Sequence, residues 1–220
     1  MKKVDNIYYI DKFVDYCKKS GIREDRFLNK DNIDEYVDTV VDGYHGYPLF
    51  KCTFKNTYNE DFFHKMLAVD FKSRIGKTIG IATDNYESIL LIEPPMTKKT
   101  GALQYLKTVD FSSFKLLFNN KTIRQNAFEK YAYKQRKQYV DDNTWYLYIF
   151  VTKKALQRNG YGKRLMNMFI SFVKENNYKV CFETNLKDNV AMYQKFGFTL
   201  MKSLVYKKMV DHYVFIMDNK

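Results

Sequence analysis

Residues 145–164 read Trp-Tyr-Leu-Tyr-Ile-Phe-Val-Thr-Lys-Lys-Ala-Leu-Gln-Arg-Asn-Gly-Tyr-Gly-Lys-Arg. The unbroken apolar and aromatic run from Trp145 to Val151 predicts a central strand buried on both faces. Lys153 to Asn159 is a polar turn, and Leu165, Met168, Phe169, Phe172 and Val173 mark a helix from about Gly160 to Asn176. At the junction stands Q-x-x-G-x-G, made by Gln157, Arg158, Asn159, Gly160, Tyr161 and Gly162. Two glycines there let the backbone approach a ligand closely, where a helix N-terminus offers unpaired N–H groups and a positive dipole end. A diphosphate is the natural guest of such a site. Lys163 and Arg164 put cations in a turn that the dipole alone would fill with carboxylates, which suits a bound anion. The pattern is not a P-loop, because no lysine followed by Ser/Thr closes it. It departs from the dinucleotide fingerprint as well, with Arg158 where the first glycine belongs, although Glu183 does end the next strand about twenty residues on.

Downstream, Tyr178 to Glu183 reads as a strand, Asn189 to Phe196 as a short helix, and Thr199–Tyr206 with His212–Met217 as a closing antiparallel pair. Upstream, Ile10, Phe13, Val14 and Cys17 predict a short amphipathic helix over 5–19, which Gly21 can end. A brief extended stretch follows at Arg26 to Leu28. Ile33, Tyr36, Val37, Val40, Val41 and Tyr44 then keep one helix face apolar, up to the loop Gly43-Tyr44-His45-Gly46-Tyr47-Pro48. The aromatics of that loop are either a local cluster beneath it or a surface for a ligand. Residues 59–74 predict a helix, and Ile79–Thr83 with Ser88–Ile92 a hairpin that Pro94-Pro95 ends. Residues 101–139 read as mostly helical, with the cations from Lys130 to Lys137 on a solvated face. The layout is α/β around a mixed sheet. With no repeat and no flexible linker, one domain is expected over 23–220, preceded by a helical extension at 1–22.

The chain has 220 residues, 45% apolar and 28% charged, enough to bury a core without disulfides or metals. Three prolines and nine glycines exclude collagen-like and low-complexity readings. A net charge of +12 attracts polyanions in one reading and reflects a lysine-rich composition in the other, and charge alone does not choose. Cys17, Cys52 and Cys181, like His45, His64 and His212, are too scattered for a disulfide framework or a zinc pattern, so no metal is expected. No apolar window is long enough to span a membrane. A soluble cytoplasmic protein is the expectation.

A second motif lies about thirty residues beyond the first. Asn189-Val190-Ala191-Met192-Tyr193-Gln194-Lys195-Phe196-Gly197-Phe198 resembles the N-x-x-x-Y-x-x-x-G-F signature of the GNAT superfamily of acyl-CoA-dependent N-acetyltransferases. Phe182-Glu183-Thr184, Tyr213 to Met217, Tyr47-Pro48-Leu49-Phe50 and Ile92-Glu93-Pro94-Pro95 are similar to its puromycin-type branch. The resemblance spans about residues 26–220 and is strongest from Trp145. The turn from Val151 to Gln157 is one residue longer than usual there and carries Lys153 and Lys154 in place of a proline. Gln157 stands where many members have arginine.

The resemblance implies a mixed, mostly antiparallel central sheet with flanking helices, splayed between its fourth and fifth strands, plus an extra N-terminal helix. It implies acetyl-CoA as cofactor. The fourth strand, ending Ile149-Phe150-Val151, would pair with the pantetheine arm. Residues Gln157 to Lys163 would hold the pyrophosphate, and Asn189 the pantetheine chain. Tyr193 would protonate the departing thiolate, and Glu183, at a strand end beside the cleft, is the candidate base. Tyr44, His45, Tyr47 and Phe50 would border the acceptor, a small-molecule or peptide amine. Monomer and homodimer both stay open. A basic, RNA-directed acetyltransferase or RNA-binding protein and a non-catalytic acyl-CoA sensor remain alternatives.

Overall fold

A computed structural model describes residues 6–55, 57–97 and 114–219. Six strands form one sheet in the order β1-β2-β3-β4-β6-β5: Ile79–Ala82 (β1), Ser88–Glu93 (β2), Thr144–Thr152 (β3), Lys179–Thr184 (β4), Thr199–Tyr206 (β5) and Val210–Met217 (β6). Every neighbouring pair is antiparallel except β3 with β4. That parallel pair is joined through Tyr161–Glu175 (α7), whose apolar stripe explains the crossover. The hairpin, the crossover helix and the closing pair lie where the apolar periodicity put them, with ends moved by a residue or two.

Period-two alternation divides the sheet's side chains between two cores. Leu90 and Ile92 face one with α7 and with Asn6–Lys19 (α1), while Ile89 and Leu91 face the other. The second core is closed by Ile33–Gly43 (α2), Pro48–Thr53 (α3) and Glu60–Arg74 (α4). Pro48 supplies a preset φ at the first turn of α3, so the stretch read as loop up to Pro48 runs straight into a helix that contains Phe50. Phe114–Leu117 (α5) and Asn120–Arg136 (α6) fall within the predicted helical region, whereas residues 101–113 of that region lie outside the described residues. Asn189–Lys195 (α8) completes the set. Among the described residues no helix is long and apolar enough to cross a membrane.

Two irregularities position the functional site. First, β3 and β4 pair only at Thr144↔Lys179, Trp145↔Val180 and Tyr146↔Cys181, then separate. Leu147 and Ile149 to Thr152 therefore keep their β2 partners on one edge and have none from β4 on the other. This is the expected splay. Phe27 bridges Ile81, and counting that short extended piece makes β3 and β4 the fourth and fifth strands. Second, β3 carries one more residue than β2 between Leu147 and Ile149, a bulge at Tyr148. Before the bulge Trp145 and Leu147 point into the α7 core; after it Ile149 and Val151 point into the α2–α4 core. The strand is therefore not buried on both faces as expected: Tyr146, Tyr148 and Phe150 are only half-buried. The first two face a cavity that the split leaves open.

Candidate active site

The Q-x-x-G-x-G stretch forms a loop on the N-terminus of α7. After β3, Lys153 donates its N–H to Glu87 O at 2.8 Å, and residues Lys154–Leu156 make a single 3-10 turn. Gln157 donates its side-chain amide to Thr152 O at 3.2 Å, so it ties the loop to the strand end. Arg158 and Gly160 both have positive φ, 68° and 86°. At Gly160, which caps α7, an added Cβ would meet nothing within 4 Å, so the space above the loop is open. Gly162 has the opposite reason for being glycine: a Cβ would lie 2.9 Å from Phe150 Cζ and 3.0 Å from Thr152 Oγ1. One glycine bends the chain, and the other seats the helix on β3. Arg158, Asn159, Lys163 and Arg164 are exposed around this terminus and Tyr161 half-buried, where the first amides of a helix lack internal partners. An anion of pyrophosphate type fits there.

On the side of the split toward α3, α4 and α6 lies a cavity of about 740 Å³. Tyr44, Tyr47, Phe50, Ile149 and Glu183 line it, which brings together most of the predicted acceptor residues with the end of β3 and the candidate base. His45 is exposed and packs edge-on to Tyr58 at 5.4 Å, away from them. Tyr44 and Tyr47 stack on each other at 4.9 Å, and Phe50 packs against both. Tyr47 spans the split, because its hydroxyl accepts the N–H of Asn185, just past β4, at 2.8 Å. The loop aromatics thus make a cavity wall and a local cluster at once.

Two parallel arrangements on β3 floor the cavity. Tyr146 donates its hydroxyl to Glu183 Oε2 at 2.8 Å, Arg136 donates to Glu183 Oε1 at 2.8 Å, and the guanidinium lies over the Tyr146 ring at 4.1 Å. Tyr148 donates to Asp70 Oδ2 at 2.8 Å, Arg74 pairs with Asp70 and Glu93, and its guanidinium covers the Tyr148 ring at 3.7 Å. Both carboxylate oxygens of Glu183 are therefore engaged. Glu129, from α6, also faces the cavity but forms no ion pair among the described residues. Burial, then the nearby charge of Glu183, raises its pKa to about 7.

Tyr193 sits at the start of the α7-side core, packed on Phe182 at 4.4 Å and Phe215 at 5.5 Å. Burial, and then Tyr47, push its phenol well above the usual range, so it stays protonated across physiological pH. Asn189 begins the same short helix and is half-buried. Lys130 and Lys134 lie on α6 and Lys137 caps it, whereas Lys153, Lys154 and Lys163 flank the loop between β3 and α7.

Residues 116–218 match the family model described as an acetyltransferase (GNAT) domain. No curated protein matches the chain by sequence. Among solved structures, the C-terminal condensation domain of Ebony in complex with beta-alanyl-dopamine superposes with a TM-score of 0.63 at 10% identity, covering 87% of this chain and 96% of that one. Arylalkylamine N-acetyltransferase 2 from Aedes aegypti gives 0.54 at 13% identity, with 91% and 100% covered. The Drosophila melanogaster polyamine N-acetyltransferase gives 0.55 at 10% identity, with 87% and 97% covered. The six-stranded, mostly antiparallel open sheet with its flanking helices is the GNAT fold.

Proposed function

We propose that the protein transfers an acetyl group from acetyl-CoA to a primary amine, by direct attack in a ternary complex. One observation carries this reading: the split between β3 and β4 has an anion-ready helix terminus beside it and a cavity lined by tyrosines and carboxylates opening from it. When bound, acetyl-CoA supplies the acetyl thioester. The amides from Arg158 to Gly162, with Lys163, hold the pyrophosphate, while Gln157 fixes the loop through its bond to Thr152. The open edge at Ile149, Phe150 and Val151 offers main-chain partners to an extended ligand arm, to which Asn189 also bonds in this reading. Tyr193 gives the proton that the departing thiolate needs. Glu183 takes the proton of the attacking amine; an ionised carboxylate has about four acceptor positions, of which Arg136 and Tyr146 use two. Tyr44, Tyr47 and Phe50 wall the acceptor's place. Within the superfamily we put the chain near the puromycin-type branch, on Phe182-Glu183-Thr184 and Tyr213 to Met217.

Titration calorimetry with acetyl-CoA and, separately, with NADH tests the reading. Binding of acetyl-CoA alone is expected, followed by free thiol release when primary amines are screened. Gly160→Glu points a carboxylate into the open space above the loop, and a loss of about tenfold or more in acetyl-CoA affinity is expected. Equal affinity in variant and parent would defeat the cofactor assignment.

A further inference from the structure

One helix face in the cavity has unmet hydrogen-bonding capacity. Thr122, Gln125 and Glu129 follow one another on α6 at spacings of three and four, so they share a stripe. All three line the cavity. Thr122 is 7% exposed, and its Oγ1 has no hydrogen-bond partner among the described residues. Gln125 Oε1 is likewise buried without one among those residues. The Gln125 side-chain amide donates to Glu129 Oε1 at 3.4 Å, which turns the amide oxygen away from the carboxylate and leaves it free to accept. The guanidiniums that could have supplied donors are committed elsewhere, Arg74 to Asp70 and Glu93 and Arg136 to Glu183. Lys130, the next residue along, is exposed and makes no ion pair with Glu129.

Unpaired buried acceptors are costly, and the stripe offers an amide oxygen, a hydroxyl and a carboxylate. An alkylammonium has three N–H donors and no acceptor, which is the complement of that set. We propose that the Thr122–Gln125–Glu129 stripe binds a second, protonated nitrogen of the acceptor, so that the substrate is a diamine or longer polyamine, anchored by one end while the other is acetylated. This rests on the acetyltransferase reading and deepens it. The attacking nitrogen must be neutral and the anchoring nitrogen charged, so the two ends of one molecule meet different surroundings. Near β4 the carboxylate of Glu183 is already neutralised by Arg136; at α6 the carboxylate of Glu129 is not.

Calorimetry with 1,4-diaminobutane and with n-butylamine, on the full chain in the presence of coenzyme A, separates the possibilities without requiring turnover. The wild type is expected to hold the diamine at least about tenfold more tightly than the monoamine. In Glu129→Gln that preference should fall to near unity, and in the shape-conserving Thr122→Val it should drop several-fold. Circular dichroism of both variants checks that they fold. Equal affinity for the two amines in the wild type, or a preference that survives in both variants, overturns the proposal. Thiol release with monoamines and no diamine preference would sink the subsite while leaving the acetyltransferase reading intact. Diamine selectivity without any acetyl-CoA binding would do the reverse.

Discussion

Tyr193 meets Phe182, Phe198 and Phe215 at ring-centroid distances of 4.4, 6.2 and 5.5 Å, so ionising its phenol strands a charge among hydrocarbon. Such a group gives up its proton only in concert with the proposed departure of the thiolate, because a free thiolate, whose thiol has a pKa of about 8.5, is the weaker base of the two. Tyr193→Phe keeps the ring contacts and removes only the hydroxyl; stopped assays should show kcat down by about 100-fold with acetyl-CoA affinity unchanged. Equal rates would take Tyr193 out of the chemistry. Glu129 responds to burial in the opposite functional sense. With its pKa at about 7, the ionised fraction grows about tenfold from pH 6 to pH 8. Diamine affinity should climb over that interval by up to the same factor, a rise that Glu129→Gln abolishes. A flat profile in the wild type would contradict the role given to the carboxylate.

At the scale of elements, α6 is fastened to the end of the sheet by Phe128 and Tyr131, which close over His212 of β6 at 5.5 and 5.4 Å. His212 is fully buried, and neither ring nitrogen has a partner among the described residues. Burial is the first cause of its lowered pKa; Glu183 opposes the shift, while Arg136 and Lys202 reinforce it. The native state thus holds a neutral ring that the unfolded chain protonates near 6.5. The unfolded state takes up more protons below that value, so stability falls as pH drops through 6.5 towards the lower native pKa. Thermal melts at pH 7.5 and 5.0 should show a larger loss for the wild type than for His212→Phe, and parallel losses would clear the histidine. The anchoring of α6 also shows which parts of the site were readable in advance. The run at Trp145–Val151 and the glycines at 160 and 162 announce a strand and a helix start, because each acts through its immediate neighbours. The contacts of α6 do not announce themselves, since its apolar stripe is weak and its partners lie far along the chain. Arg136 pairs with Glu183 and Arg124 bonds to Thr53, and no periodicity links residues 47 or 71 positions apart. The tyrosines at 146 and 148 were a usable signal, two hydroxyls within the apolar run and, two residues apart, on one face of the strand, but nothing local says that this face meets a cavity.

For the molecule as a whole, α1 belongs to the main core. Phe13 is fully buried, at 5.6 Å from Trp145, 5.7 Å from Phe169 and 4.8 Å from Phe172, and Cys17 lies beside it in the same core. Phe13→Ala should cost about 3–5 kcal/mol and lower Tm by roughly 6–20 °C. A shift below a few degrees would mean α1 docks only loosely. Trp145, the single tryptophan, lies beneath α1 at the closed end of the split, still paired with Val180. The protein therefore carries one tryptophan fluorophore, placed where the two halves of the sheet are hinged together. Its emission reads the seating of α1 and the integrity of that hinge. Ligands entering at the opposite end of β3 leave the signal dark unless they pry the strands apart.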